Sequence, residues 1–264
     1  MSFYLNGVAL VTGAGSGIGR ECALGYAAEG ARGVVLADLS YEPTLDAAQE
    51  SETLATNPAF KAIALRIDPT DLASVAEMIV TAMRLFGRID YFVNSGWTAP
   101  PALEGTDSDN KMWQANATGT IHCVRAVAQV MRNQQVGKYK SRGRVRESGR
   151  GTIIIVGAPN SMNAPRIEQG GHGTLGLTRK AALDSAAHGI RVNTVCPGWV
   201  GNADENVDAQ MLKSIVPISR TARPEEIADV VLFLSSPRAS YVTGAAWTVD
   251  GGMTLRNQTP ETVG

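Results

Sequence analysis

The chain has 264 residues, 44% of them hydrophobic, and a formal net charge of -1 at pH 7, which suits one sizeable domain with a substantial core. That near-neutral balance excludes a general nucleic-acid or anionic-membrane surface, and no apolar run reaches transmembrane length, so a small molecule is the expected partner. Cys22, Cys123 and Cys196 stand far apart with no CxxC pair or matching histidine cluster, so buried free thiols are expected, with no disulfide framework and no metal site.

The N-terminus, Met1 to Gly7, lacks the charged start and apolar core of a secretory signal, and a cytoplasmic location is expected. The first element is the apolar run Val8 to Thr12, which breaks into glycines and resumes as a helix. The pattern predicts a strand, a tight turn and a helix N-terminus. Gly13, Gly17 and Gly19 permit a sharp turn and close backbone approach. The N–H groups of Ser16, Gly17, Ile18 and Gly19 and the helix dipole there favour an anionic diphosphate. A flexible loop between two elements is the alternative. The opening helix should run to about Gly30, and Gly33 to Asp38 is a second strand ending in a carboxylate. An acid about twenty residues after the glycine turn suits the hydroxyls of an adenosine ribose and repels a 2′-phosphate. Asp38 therefore favours NAD, without excluding NADP, unless it is a turn or capping residue.

Pro43 suits the first turn of a helix over residues 42–57, Phe60 to Ile67 reads as a third strand, and Asp68 ends it. A helix follows to about Phe86, then a fourth strand, Ile89 to Gly96, which ends in small polar residues where a ligand could approach the backbone. This alternation predicts a parallel sheet with right-handed crossovers, covered on both faces. Residues 111–135 read as one long helix carrying Asn116 and Gly119. Residues 137–150 hold Lys138, Lys140, Arg142, Arg144, Arg146 and Arg150 against Glu147, and read as a basic, solvated surface loop. The fifth strand is Gly151 to Val156, a helix carries Thr174 to Ala187, and Ile190 to Val195 is the sixth strand, ended by Pro197 and Gly198. Pro224 opens a further helix, Ala245 to Val249 is the last strand, and residues 253–264 form a tail. No repeat or linker divides the chain, so residues 1–264 are expected to form a single α/β domain.

These residues resemble the short-chain dehydrogenase/reductase superfamily over nearly the full length. The likeness rests on Thr12-Gly13-x-x-x-Gly17-x-Gly19, Asp68, Asn94-Ser95-Gly96, Asn116, Gly189 to Asn193, Pro197-Gly198, Tyr241 to Gly244 and Val249 to Gly252. It implies a Rossmann-type doubly wound parallel sheet of about seven strands flanked by helices, binding NAD(P). The same resemblance sets Asp68 near the adenine, Asn94 and Gly96 along the ribose, and Pro197, Gly198 and Val200 on the nicotinamide side. It also implies a homotetramer or dimer packed through the two long central helices.

Family chemistry rests on a Ser, a Tyr and a Lys four residues after the Tyr, with an Asn on the preceding helix. The residues four places after Tyr4, Tyr26, Tyr41, Tyr91, Tyr139 and Tyr241 are Val8, Gly30, Leu45, Ser95, Gly143 and Ala245, so the Tyr-x-x-x-Lys pair is absent. Alignment puts Ala158 at the Ser position, Ile167 at the Tyr position and Gly171 at the Lys position; Asn116 alone is kept. Two readings follow. One is a reductase of an imine or iminium carbon, which forms no alkoxide, with Glu168, Arg166 and Asn116 as candidate catalytic groups. The lost pair is similar to that of fungal bifunctional reductase/Diels–Alderases of indole alkaloid pathways, which reduce a cyclic precursor and guide a cycloaddition. Pro165 matches their Pro-x-Asp-x-x-Asn segment, whereas Ile167 and Gly170 do not. The other reading is a pseudoenzyme that keeps the nucleotide fold as a binding or regulatory protein. Trp97 and Trp199 are placed at the pocket mouth.

Overall fold

The computed structural model describes residues 3–96, 114–157, 169–201 and 209–256. Short apolar runs bounded by glycine and polar residues form the strands β1 (Val8–Thr12), β2 (Gly33–Asp38), β3 (Lys61–Arg66) and β4 (Tyr91–Asn94). After them come β5 (Gly137–Ser141), β6 (Arg144–Gly149), β7 (Gly151–Val156), β8 (Ile190–Pro197) and β9 (Ala246–Val249). The helices are α1 (Gly17–Ala28), α2 (Tyr41–Leu54), α3 (Leu72–Phe86), α4 (Gly119–Asn133), α5 (Gln169–Ala186), α6 (Ala209–Ile215), α7 (Pro224–Ser235) and α8 (Met253–Arg256).

Seven strands make one parallel sheet in the order β3-β2-β1-β4-β7-β8-β9. Alternate residues feed opposite layers. Along β1, Ala9 and Val11 enter the core under α1 and α7 with Tyr26, Ile227 and Val231. Leu10 enters the core under α3 and α4 with Met78, Phe92, Val127 and Met131. A strand buried on both faces reads as continuously apolar, which is why β1, β2 and β7 were visible as runs. The result is the doubly wound Rossmann-like sheet, flanked by helices on both sides.

Near the starts of β7 and β8 the Arg191 guanidinium ties the end of α7 to the sheet. It donates to Thr152 Oγ1 at 3.1 Å and to the carbonyls of Ser235, Ser236 and Val242 at 3.3, 3.1 and 3.2 Å. Burial pulls this group down to about 10, and its partners are neutral oxygens.

Several boundaries depart from the sequence reading. Residues 137–149 are not an irregular loop. They form an antiparallel hairpin, β5–β6, because Arg142 and Gly143 both take positive φ, 50° and 73°, as a two-residue hairpin turn requires. Within the stretch 111–135, expected as one long helix, the described residues form a π-helical turn, Gln114–Thr118, followed by α4. Helix α2 stops at Leu54, earlier than the expected residue 57, since the chain leaves it for the Thr56 N–H to reach the Ala27 carbonyl at 3.2 Å. Helix α6 was not anticipated. The tail starts as α8, with the Thr254 N–H donating to Asp250 Oδ2 at 2.8 Å, and residues 257–264 lie outside the described residues.

Candidate cofactor and catalytic site

The glycine turn sits at the C-terminal ends of β1 and β4, where a parallel sheet leaves a crevice for ligands. Gly13 takes φ 69° and a Cβ there would lie 2.7 Å from the Gly96 nitrogen and the Ser95 carbonyl oxygen, so the two backbones touch only because residue 13 is glycine. A Cβ on Gly19 would strike the Gly13 carbonyl oxygen, which locks α1 close against the turn. Gly17 has φ 50° and open space where its Cβ would be, so the cradle faces outward there. Ser16 precedes α1 with no side-chain cap. The first-turn N–H groups of Gly17, Ile18 and Gly19 are thus left to an anion. These features fit a dinucleotide diphosphate.

Asp38 ends β2 beside this turn. Its Oδ2 accepts the Gly15 N–H at 3.1 Å and its Oδ1 accepts the Ser40 N–H at 3.0 Å. The carboxylate therefore braces the turn and lies at the cradle's edge, as the turn-residue alternative has it. Asp68 is exposed after β3, where the Thr70 hydroxyl and N–H donate to its Oδ1 at 2.6 and 2.8 Å and hold the carboxyl below its ordinary range. The turn carrying it packs on α4: a Cβ on Gly119 would lie 3.0 Å from Pro69 Cβ.

Asn94 is buried and its amide points inward. Its Oδ1 accepts from Thr12 Oγ1 at 3.3 Å and its Nδ2 donates to Thr120 Oγ1 at 3.0 Å. Thr120 in turn donates to the Asn116 carbonyl at 2.5 Å, inside the π-helical turn. What the end of β4 offers to the crevice is accordingly the backbone of Ser95 and Gly96, not the Asn94 amide. Sequence reasoning missed Thr120, since a threonine within a helix carries no pattern of its own.

Across the crevice Pro197 and Gly198 are buried, the Gly198 N–H donating to the Val249 carbonyl at 2.9 Å. Val200 is half-buried and forms a parallel bridge to Ala222. Trp199 packs with Leu212, Val216 and Met253, joining α6 to α8.

Gly171 falls in the first turn of α5. Trp97, Ala158, Arg166, Ile167 and Glu168 lie outside the described residues. Among the described residues no other group offers an obvious general acid. Tyr26 and Tyr91 stack in the core with ring centroids 5.3 Å apart, and burial raises both phenols. Cys22 is buried and its thiol is raised, while burial pushes Cys123 up to about 12, so neither supplies a thiolate. No group of three metal-ligating side chains and no helix long and apolar enough to cross a membrane occurs among the described residues.

Comparison with known proteins agrees with this geometry. The family profile described as enoyl-(acyl carrier protein) reductase matches residues 13–254. The short-chain dehydrogenase anuF of Penicillium roqueforti is 50% identical, over 98% of this chain and 100% of its own. The short-chain dehydrogenase srdC of Neurospora crassa is 42% identical, over 95% of this chain and 98% of its own. Among solved structures, a short-chain type dehydrogenase/reductase from Mycobacterium marinum superposes with a TM-score of 0.81 at 29% identity, covering 96% of this chain and 97% of the other.

Proposed function

This chain belongs to the short-chain dehydrogenase/reductase family, and we propose that it works there as an NAD(P)-dependent reductase of an imine or iminium carbon. The observation that carries this reading is a complete, outward-facing cradle at Gly13 to Gly19 in a chain with no Tyr-x-x-x-Lys pair anywhere in its sequence. The cofactor supplies the reducing equivalent when bound. Gly17, Ile18 and Gly19 hold its diphosphate, Asp38 favours the free ribose hydroxyls of NAD, and Pro197, Gly198 and Val200 border the nicotinamide side.

Ketone reduction needs a proton delivered to a developing alkoxide, and a positioned acid contributes about 10²–10⁴-fold to such a step. Hydride addition to an iminium carbon, either a preformed cation or an imine whose nitrogen has taken a proton from solvent, sends the C=N π pair to nitrogen and leaves a neutral amine, so no acid is required from the protein. A carboxylate beside the cation stabilises it, a role we assign to Glu168, with Arg166 and Asn116 as further candidates. We place the reaction in secondary, alkaloid-type metabolism, and extend the proposal to a guided cycloaddition of the reduced product in the same pocket, where proximity supplies most of the acceleration. Assembly as a dimer or tetramer through α4 and α5 is part of this reading; Leu183 on α5 is 79% exposed.

Replacement of the Ser, Tyr and Lys positions by Ala158, Ile167 and Gly171 also favours a second reading, a pseudoenzyme that binds nucleotide as a regulatory protein. NADH and NADPH titrations followed by addition of a cyclic imine separate the two. The reductase binds NADH and consumes it when the imine arrives, and Glu168→Gln slows consumption without changing NADH affinity. A protein that binds NADH and never oxidises it is the pseudoenzyme.

A further inference from the structure

We propose that the basic hairpin β5–β6 is a docking edge for an acidic, extended segment of a partner polypeptide. The hairpin stands outside the seven-stranded sheet and bonds through its backbone to no other strand among the described residues. It joins the end of α4 to the start of β7. Because the main sheet is parallel, this is the end opposite the Gly13 to Gly19 cradle, so a partner held there leaves the cofactor crevice open.

Five cations, Lys138, Lys140, Arg142, Arg144 and Arg146, face a single carboxylate, Glu147, within thirteen residues. All five are exposed, and none enters an ion pair formed among the described residues. Since the whole chain has a net charge of -1, everything outside the hairpin is net acidic, which disfavours a nucleic acid and leaves the positive field local. The turn supports the same reading. Arg142 adopts φ 50° at a position where glycine or asparagine is the easy choice, at roughly 1 kcal/mol, and so places a cation at the tip.

The base of the hairpin is held firmly. Tyr139 lies against Tyr4 with centroids 6.3 Å apart. Arg150 donates to the Gln134 and His188 carbonyls at 3.0 and 3.1 Å, and Gln134 Nε2 donates to the Ile89 carbonyl at 2.7 Å. A rigid, unpaired strand edge is a template for another strand, and lysines along it repel a second copy of themselves. The same charges select a strand with carboxylates. Lys138 and Lys140 share one face at alternate positions, about 7 Å apart along an extended chain, and Arg144 and Arg146 share the other. Acids at every second residue of an added strand meet one of these rows.

The test uses the full chain and a fluorescein-labelled decapeptide of alternating glutamate and valine, read by fluorescence anisotropy. Saturable binding is expected, weakened about tenfold or more by the double substitution Lys138→Glu and Lys140→Glu, by raised salt, and by N-methylating alternate peptide amides. NADH affinity should not change in that variant. Equal binding of the N-methylated peptide would show charge attraction without strand addition and overturn the proposal. So would capture of phosphatidylserine vesicles with no peptide binding.

Discussion

The Asn94 amide and the Thr120 hydroxyl, 3.0 Å apart, join the end of β4 to the first turn of α4, and through them Thr12, next to the glycine cradle, is tied to the Asn116 carbonyl. All three side chains are buried, with Thr12 at 2%, Asn94 at 5% and Thr120 at 6% exposure. A buried donor left without its acceptor loses about 1–3 kcal/mol. Thr120→Val should therefore lower unfolding stability by about 2 kcal/mol and weaken NADH binding, while Thr120→Ser recovers most of both. Denaturant unfolding beside an NADH titration measures it.

Gly17 and Gly19 make opposite demands on the same turn. At Gly17 a methyl group meets nothing but must sit at φ 50°, so Gly17→Ala should lose about 1 kcal/mol of stability yet fill the space a diphosphate needs. NADH affinity should fall far more than the melting temperature. Gly19→Ala drives a methyl group into the Gly13 carbonyl, so α1 must move and the melting temperature should drop along with binding. Paired thermal melts and titrations of the two variants distinguish these outcomes.

Asp38 braces the glycine turn, and the proposed function also gives it the choice of cofactor; one substitution separates the two. Asp38→Asn keeps an acceptor for the Gly15 N–H and removes the negative charge. The fold should hold, and the NADPH-to-NADH affinity ratio should rise about tenfold as repulsion of a 2′-phosphate disappears. An unchanged ratio would remove Asp38 from cofactor selection.

At the start of α7, Glu226 accepts the Arg223 N–H at 2.9 Å and both Arg220 guanidinium nitrogens at 2.6 and 2.7 Å. Chiefly the Arg220 hydrogen bonds, then the Arg223 N–H, pull its carboxyl down to about 2. A folded value below the unfolded one means that the group stabilises the fold above the ordinary carboxylate range. That contribution is lost as pH falls towards about 2. The site is exposed, so the contribution is about 0.2–1 kcal/mol. The stability gap between the parent and Glu226→Gln should shrink between neutral pH and pH about 2, as followed by urea unfolding across that window.

How far the sequence disclosed this molecule depends on whether a feature is local. Strands β1, β2 and β7 are buried on both faces and read directly as apolar runs, and the cradle declares itself by glycines that follow β1 at once. The hairpin was hidden because its alternation is written in lysines and arginines, which resemble an exposed loop, and because Arg142 is an uncommon residue for its turn. Thr12 and Asn94 are 82 residues apart in the chain, so their bond had no sequence signature. The same holds for Thr120, whose partner on β4 is 26 residues away.

In the proposed function the cradle is kept while the proton-transfer chemistry changes. Single-turnover oxidation of protein-bound NADH, with a cyclic imine in one syringe and the matching cyclic ketone in another, tests it most directly. NADH should bind, and the imine should be reduced at least about 10²-fold faster than the ketone, the contribution of the missing acid. Ketone reduction at an equal or greater rate would contradict it.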